Sequence, residues 1–208
     1  MSRVTRLRVP LQCAFAAAAV AVFTLSGCAS MYVDNGMPDV PASAYVRPQT
    51  PQPVQMLFTF KTKGTANTKA TELLKKNATD AVMASGLFAS VGSAPTPGGT
   101  LLSVTIDNVP VTSEKDAMAK GFTTGLTFGL AGSQVTDGYV CTVDYIASPS
   151  AAKITKVVHH AIHTNIGAHS APANSTKAAS AMAAIKTVVN QAIGNALKEL
   201  SADPGFGH

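Results

Sequence analysis

The sequence predicts an α+β domain: an antiparallel sheet of about four strands with two helices packed on it. Apolar and polar residues alternate in four segments, and two other segments repeat apolar residues with the helical period. The order is strand, helix, three strands and a long helix, which favours one layer of helices on one sheet. The 208 residues are 46% hydrophobic and 13% charged, so the chain can bury a real core and lacks the composition of a disordered protein.

The first strand and the first helix are predicted between residues 54 and 85. Val54, Met56, Phe58 and Phe60 alternate with polar residues, which is typical of a strand with one buried face. A turn at residues 64–67 leads into the helix, and Gly86 is placed to end it as a left-handed cap. The buried stripe of this helix consists of Leu74, Ala78, Ala81 and Val82.

Three more strands and a second helix complete the predicted domain. The strands are expected at residues 101–109, 139–146 and 154–166, where apolar residues alternate with polar ones. The last helix is expected from about Ser175 to Leu200, with Asn174 or Ser175 as its N-cap. Its apolar stripe contains Met182, Ile185, Val189, Ile193, Ala196 and Leu200. Residues 201–208 follow a helix stop and are expected to fray.

The first 27 residues have the layout of a secretory signal peptide. Arg3, Arg6 and Arg8 come first, and residues 11–25 are then free of charge. This run is shorter than the ~20 apolar residues that a spanning helix needs. The alternative is an uncleaved N-terminal membrane helix. Removal of residues 1–27 would leave 13 basic and 11 acidic side chains, a balance that does not favour nucleic-acid binding.

The motif Leu25, Ser26, Gly27 and Cys28 resembles the lipobox of bacterial lipoprotein precursors at all four positions. In such precursors the thiol accepts a diacylglyceryl group, cleavage between Gly27 and Cys28 follows, and an acyl chain such as palmitate is added to the freed amine. The resemblance implies Cys28 as the lipid-attachment residue, with acyl chains as the link to the membrane. The next residue is Ala29 rather than Asp, which implies the Gram-negative outer membrane, with the domain facing the periplasm.

Residues 28–53 are predicted to be a lipidated N-terminus and a Pro-rich tether. They carry five prolines and no helical or strand period. If extended, about 25 residues reach about 75 Å at ~3.1 Å per residue. The alternative is an ordered arm on the domain, which is taken to span residues 54–200.

Residues 121–136 contain no charged side chain, and glycines recur among them at regular spacing. We consider Gly121, Gly125, Phe128, Gly129 and Gly132 as candidates for membrane or partner contact. Three interpretations compete: a glycine-rich hairpin or buried segment covering the sheet, a membrane-contacting insertion, and an oligomerisation helix with close glycine packing. The sequence leaves all three open.

The histidines and cysteines do not predict a metal or redox site. On a strand, His159 and His163 share a face but lie about 13 Å apart at ~3.3 Å per residue, too far for one ion. An exposed strand face is the simpler expectation for them. Cys141 lies in an alternating strand and is expected to be a buried, inert thiol. We therefore expect no metal and no cofactor.

No catalytic motif is present, and we expect a protein that is not an enzyme. The chain resembles small outer-membrane lipoproteins that carry one α+β domain. The sequence Ser85 to Phe88 is similar to the same region in curli-secretion-type and penicillin-binding-protein-activator lipoproteins. This resemblance implies a binding or assembly accessory with an envelope protein partner. The competing hypothesis is a membrane-inserting or oligomeric structural subunit that uses residues 121–136.

Overall fold

The computed structural model describes residues 29–122, 134–167 and 170–207, and within them eight strands form one sheet beside three helices. The strands are β1 (Ala29–Asp34), β2 (Pro53–Thr62), β3 (Thr65–Ala66), β4 (Ser90–Gly92), β5 (Leu101–Val111), β6 (Gln134–Ile146), β7 (Ile154–Ile166) and β8 (Ser175–Lys177). The helices are α1 (Thr68–Ser85), α2 (Glu114–Ala119) and α3 (Ala181–Ser201). None of these helices has both the length and the apolar character that a membrane crossing requires.

The sheet is larger than predicted and is mixed rather than antiparallel. Its order is β3-β2-β5-β6-β7-β1-β8, and β4 pairs with β2. The expectation of about four strands was wrong because four of the eight strands have only two to six residues, too short to show a period. The expectation of an antiparallel sheet was wrong at β2, which pairs in parallel with β5 and β4. The helix α1 carries the chain back across the sheet between β2 and β5, so the two strands run in the same direction.

The main core lies between one face of the sheet and the helices α1 and α3. Alternate residues of the central strands point to this face, and Val104 of β5 lies opposite Val143 of β6, both fully buried. The buried stripe of α1 contains Leu74, Ala78 and Val82 as predicted. The stripe of α3 is wider than predicted because this helix crosses β6, β7 and α1. Its buried residues are Ala184, Val188, Val189, Ala192, Ile193, Gly194, Ala196, Leu197, Leu200 and Ser201.

The helix ends are set by local side chains. Asn67 caps α1 by accepting a hydrogen bond of 3.0 Å from the backbone N–H of Ala70. Gly86 ends α1 with φ 67°, as predicted, in a conformation that glycine adopts without strain. The helix α3 begins at Ala181 and not at Ser175, because residues 175–177 pair with β1 as β8. Its N-cap is Ser180, which accepts a hydrogen bond from the N–H of Ala183.

The opposite face of the sheet carries a small second core. Ala117 of α2 and Phe122 pack on Val111 of β5. The ring of Phe122 lies directly over Gly138 of β6, where a side chain would collide with it and with Val111. The absence of a side chain at Gly138 therefore allows Phe122 to pack directly on the sheet.

Of the two alternatives for residues 28–53, the described residues from Ala29 onward form an ordered arm. The strand β1 lies between β7 and β8. Further along the arm, Tyr45 is buried and the N–H of Val46 donates to Oγ of Ser201 at the end of α3. Within the described residues, the sheet therefore includes Ala29–Asp34, which lie in the stretch expected to be a tether.

The C-terminal residues are also ordered, in contrast to the fraying expected from the sequence. Phe206 is only 2% exposed. Its ring centroid lies 4.9 Å from that of Tyr145 and 5.9 Å from that of Phe88. This contact joins residues far apart in the chain, so sequence periodicity could not predict it.

Candidate functional site

The end of β1 creates a notch in the sheet beside β7. The strand β1 pairs with residues 162–166 of β7 and then turns away at Asn35. Within the described residues, the edge of β7 from Ile154 to His160 has no strand beside it on this side. A cavity of about 290 Å³ follows this edge, and we call it the notch.

The notch is lined mainly by backbone and polar groups. Five consecutive β7 residues, 157–161, border it, together with Asp34 at the end of β1. Gly121 and Phe122 border it on the outer face, and Glu199 of α3 borders it on the helix side. No lysine or arginine is among the lining residues, so the two carboxylates dominate its charge.

Behind the notch, His163 is fully buried among the polar side chains of neighbouring strands. Its Nδ1 lies 3.0 Å from Oγ1 of Thr136 and 3.3 Å from Nε2 of Gln134. An amide nitrogen can only donate, so Nδ1 accepts and the ring proton lies on Nε2. Among the described residues, this Nε2 has no hydrogen-bond partner and lies 3.6 Å from Oδ2 of Asp34.

Asp34 is held as a carboxylate at the end of β1. Burial alone would raise the pKa of its carboxyl, but the imidazole of His163 and the N–H of Gly36 outweigh burial and lower the pKa. The N–H of Gly36 donates to Oδ1 at 2.7 Å, and this bond also closes the turn that ends β1. Asp34 thus both stops the strand and places a negative charge at the notch.

The chain Thr136–His163–Asp34 has the residue types of a nucleophile, a base and an acid, but its setting does not suit catalysis. Thr136 is 3% exposed and His163 is fully buried. Neither residue lines the notch, so a substrate there would not reach the Thr136 hydroxyl. The three side chains are better explained as buried polar groups between three strands, in which Thr136 and Gln134 contact Nδ1 of His163 and Asp34 offers its Nε2 an electrostatic contact at 3.6 Å.

His160 points to the opposite face of the sheet and joins β7 to α3. The N–H of Ala161 donates to its Nδ1 at 2.9 Å, so the ring proton lies on Nε2 and is donated to Oε1 of Gln191 at 2.7 Å. Burial lowers the pKa of His160 despite the Gln191 bond and the nearby Asp34 and Asp39. The ring is therefore neutral and structural.

His159 closes the outer side of the notch against Phe122. The two rings meet edge to face with centroids 5.1 Å apart, and burial lowers the pKa of His159. Gly121 has φ 80°, and a Cβ there would approach Nε2 of His159 to 2.9 Å. Gly121 therefore allows the chain to turn tightly over the histidine.

The structure changes the expected setting of the histidines. They lie on a strand as predicted, but the expectation of an exposed face for His159 and His163 was wrong, since His163 is fully buried and His159 is partly buried against Phe122. In the ranges that the structure describes, no three His, Cys, Asp or Glu side chains are grouped to hold a metal ion. Burial raises the pKa of Cys141 to about 12, as suits an inert thiol.

Most of the residues singled out in the sequence lie outside the described residues. These are Gly27, Cys28, Gly125, Phe128, Gly129 and Gly132. Gly121 is described and borders the notch. Sequence reasoning did not single out Asp34 or Glu199, because only the end of β1 and the path of α3 bring them to β7. The one available signal for Asp34 was its place before the Asn35-Gly36 turn.

The solved structures that resemble this chain include two distant likenesses. No protein-family model and no curated protein matches the chain. A PelC variant solved as a dodecamer, from Paraburkholderia phytofirmans, is 18% identical with a TM-score of 0.33, and the match covers 84% of this chain and 98% of that chain. A "putative lipoprotein" from Caulobacter crescentus is 11% identical with a TM-score of 0.28, over 73% and 87% of the two chains. At these TM-scores neither likeness carries an argument about function.

Proposed function

We propose that the chain is a lipid-anchored protein of a bacterial envelope whose domain is a non-enzymatic binding or assembly accessory. The observation that carries the proposal is the motif Leu25, Ser26, Gly27 and Cys28 directly before the first residue of β1. Lipid on Cys28 would attach the domain through the sheet itself. The absence of Asp after Cys28 supports the outer membrane, and the domain would face the periplasm.

The surface near Ala29 suits a position close to a bilayer. Ala29 pairs with Ile166 at the end of β7, and β6 starts at the same end of the sheet. Ile166 is 49% exposed and Val135 of β6 is 48% exposed. With an anchor on Cys28, both apolar side chains would lie near the lipid headgroups, where their burial is favourable.

Replacement of Cys28 tests the anchor. Cys28→Ala should abolish incorporation of labelled palmitate and move the protein from the membrane fraction to the soluble fraction. The matched control is Cys141→Ala, which removes a buried cysteine and should leave both readouts unchanged. Lipid labelling of Cys28→Ala at the wild-type level would contradict the proposal.

A probe at the anchor end tests the orientation. In a Cys141→Ala background, Val135→Cys and Val46→Cys would each carry an environment-sensitive fluorophore, since both valines are 48% exposed. Val46 lies near the end of α3, at the opposite end of the sheet. The Val135 probe should shift to the blue in vesicles and the Val46 probe should not. Equal spectra at both positions would contradict the orientation.

The exposed apolar residues at the anchor end also support a second candidate, a membrane-inserting or oligomeric structural subunit that uses residues 121–136. The size of the detergent-extracted protein separates the two candidates. A monomer supports the accessory, whereas a large closed ring supports the structural subunit.

A further inference from the structure

We propose that the notch binds an extended, basic segment of a partner protein, which adds a strand to the sheet beside β7 and in line with β1. The proposal rests on the binding role proposed above and names the kind of partner. Strand addition of this kind uses backbone hydrogen bonds for affinity and alternate side chains for selectivity.

The direction of the backbone groups follows from the pairing of β1. The N–H of Ala178 donates to the carbonyl of Met31, and the N–H of Asn35 donates to the carbonyl of Asn174. The odd-numbered residues of β1 therefore face β8, and the even-numbered residues face β7. Tyr32 lies opposite His163, so the odd-numbered residues of β7 direct their N–H and C=O groups toward β1.

Beyond the end of β1, this side of β7 is unpaired. Val157 and His159 direct their backbone N–H and C=O groups into the notch, and Thr155 directs its own toward the same edge of β7 outside it. None of these groups has a hydrogen-bond partner within the described residues. Val157 is 44% exposed. A row of unpaired edge groups is a template for another strand.

The usual protection of such an edge is missing here. Lysines often block edge pairing, but Lys153 and Lys156 are each paired with an aspartate, Asp144 at 3.3 Å and Asp203 at 2.8 Å. Both lysine ammonium groups near the start of β7 are therefore engaged by acids of this chain. The outer ends of the sheet, in contrast, are occupied by the very short strands β3, β4 and β8.

The negative charge of the notch determines which class of partner segment it can bind. Asp34 and Glu199 line the notch, and Glu199 is in no ion pair with any described residue. A basic side chain on the helix side of the added strand would face Glu199. The alternate side chains would lie on the outer face beside Val157, which is apolar. The fitting segment therefore alternates apolar residues with a lysine or arginine.

The test uses the full lipoprotein in detergent micelles and a fluorescein-labelled peptide, Val-Thr-Val-Lys-Val-Thr-Val. Fluorescence anisotropy should show saturable binding, and the same peptide with Glu for Lys should bind about tenfold more weakly. Glu199→Gln should remove most of this difference, whereas Glu72→Gln, at an exposed position on α1, should not. Equal binding of the two peptides to the wild type would overturn the charge argument.

Backbone methylation tests strand addition on the unaltered protein. In the antiparallel register, three of the four valines lie opposite Thr155, Val157 and His159 and direct their N–H groups to β7, while the lysine N–H points away. N-methylation of a central valine should weaken binding about tenfold or more, and N-methylation of the lysine should change it less than about twofold. Equal losses from both peptides would overturn the proposal.

Variants at Val157 give a second measurement. Val157→Pro removes an edge N–H that pairs with nothing in the described structure, a position at which strands tolerate proline. It should abolish peptide binding, whereas Val157→Thr should retain it. If Val157→Pro does not fold, the methylated peptides still decide the question. Dimerisation of the wild type that Val157→Pro abolishes, without peptide binding, would show a second copy as the occupant and overturn the proposal.

Failure of this proposal is distinguishable from failure of the anchor. If the wild-type protein is lipid-labelled but does not bind the peptide, only the proposal that the notch binds a basic segment is refuted. If the wild-type protein binds the peptide but carries no lipid label at Cys28, only the proposal of a lipid anchor is refuted.

Discussion

Replacement of Phe206 by alanine is expected to destabilise the domain strongly, although Phe206 lies outside every helix and strand. The side chain is 2% exposed and packs edge to face on Tyr145 and Phe88. Removal of a buried phenylalanine side chain costs about 3–5 kcal/mol. Because the turn that carries Phe206 lies outside the helices and strands and can relax into part of the space, we expect about 3 kcal/mol, the lower end of that range.

Urea and thermal unfolding followed by circular dichroism measure this loss. A cost of about 3 kcal/mol lowers Tm by about 6–12 °C in a domain of this size, while the urea m-value stays constant. The matched control is Met83→Ala, since Met83 is 58% exposed on α1 and should change stability by less than about 0.5 kcal/mol. A loss below about 1 kcal/mol for Phe206→Ala would show that the C-terminal turn contributes little to the core.

Three further predictions follow from single sites. Gly121→Ala should cost about 1–2 kcal/mol because of its positive φ and its contact with His159; Gly98→Ala, with ordinary contacts, is the control in urea unfolding. Burial lowers the pKa of His160 in the folded state. Near the unfolded-state pKa of about 6.5, the unfolded chain therefore binds more protons than the folded protein does. The urea concentration at the unfolding midpoint should therefore decrease as the pH is lowered from about 7.5 to about 5.5. An unchanged midpoint would contradict this. Cys141, with its pKa raised to about 12, should not react with iodoacetamide at about pH 8 until the protein unfolds; rapid native labelling would contradict its burial.

The periodic segments of the fold could be predicted from the sequence, and the short ones could not. The strand β7 has the predicted bounds, and α1 has the predicted cap at Gly86. The residues of β1 offer too few alternations to outweigh the prolines that follow them. Parallel pairing of β2 with β5 is set by the path of the intervening helix, which periodicity does not record.

The candidate site was only partly predictable for a related reason. Strand periodicity placed His159 and His163 on one face, and the structure agrees. It could not show that β1 and β6 enclose His163, because strand order depends on contacts between distant segments. The unpaired edge at Val157 depends on where β1 stops, which is decided by the bond from Gly36 to Asp34.

The direct connection of Cys28 to β1 has a mechanical consequence for an anchored protein. A pull from the membrane along the strand axis would act first on the five residue pairs that join β1 to β7. Such a pull loads the hydrogen bonds of these pairs in shear and together, rather than opening them one after another. The same load would reach β8 on the other side of β1. The anchor would therefore transmit tension into the sheet at β1 without passing through a slack linker.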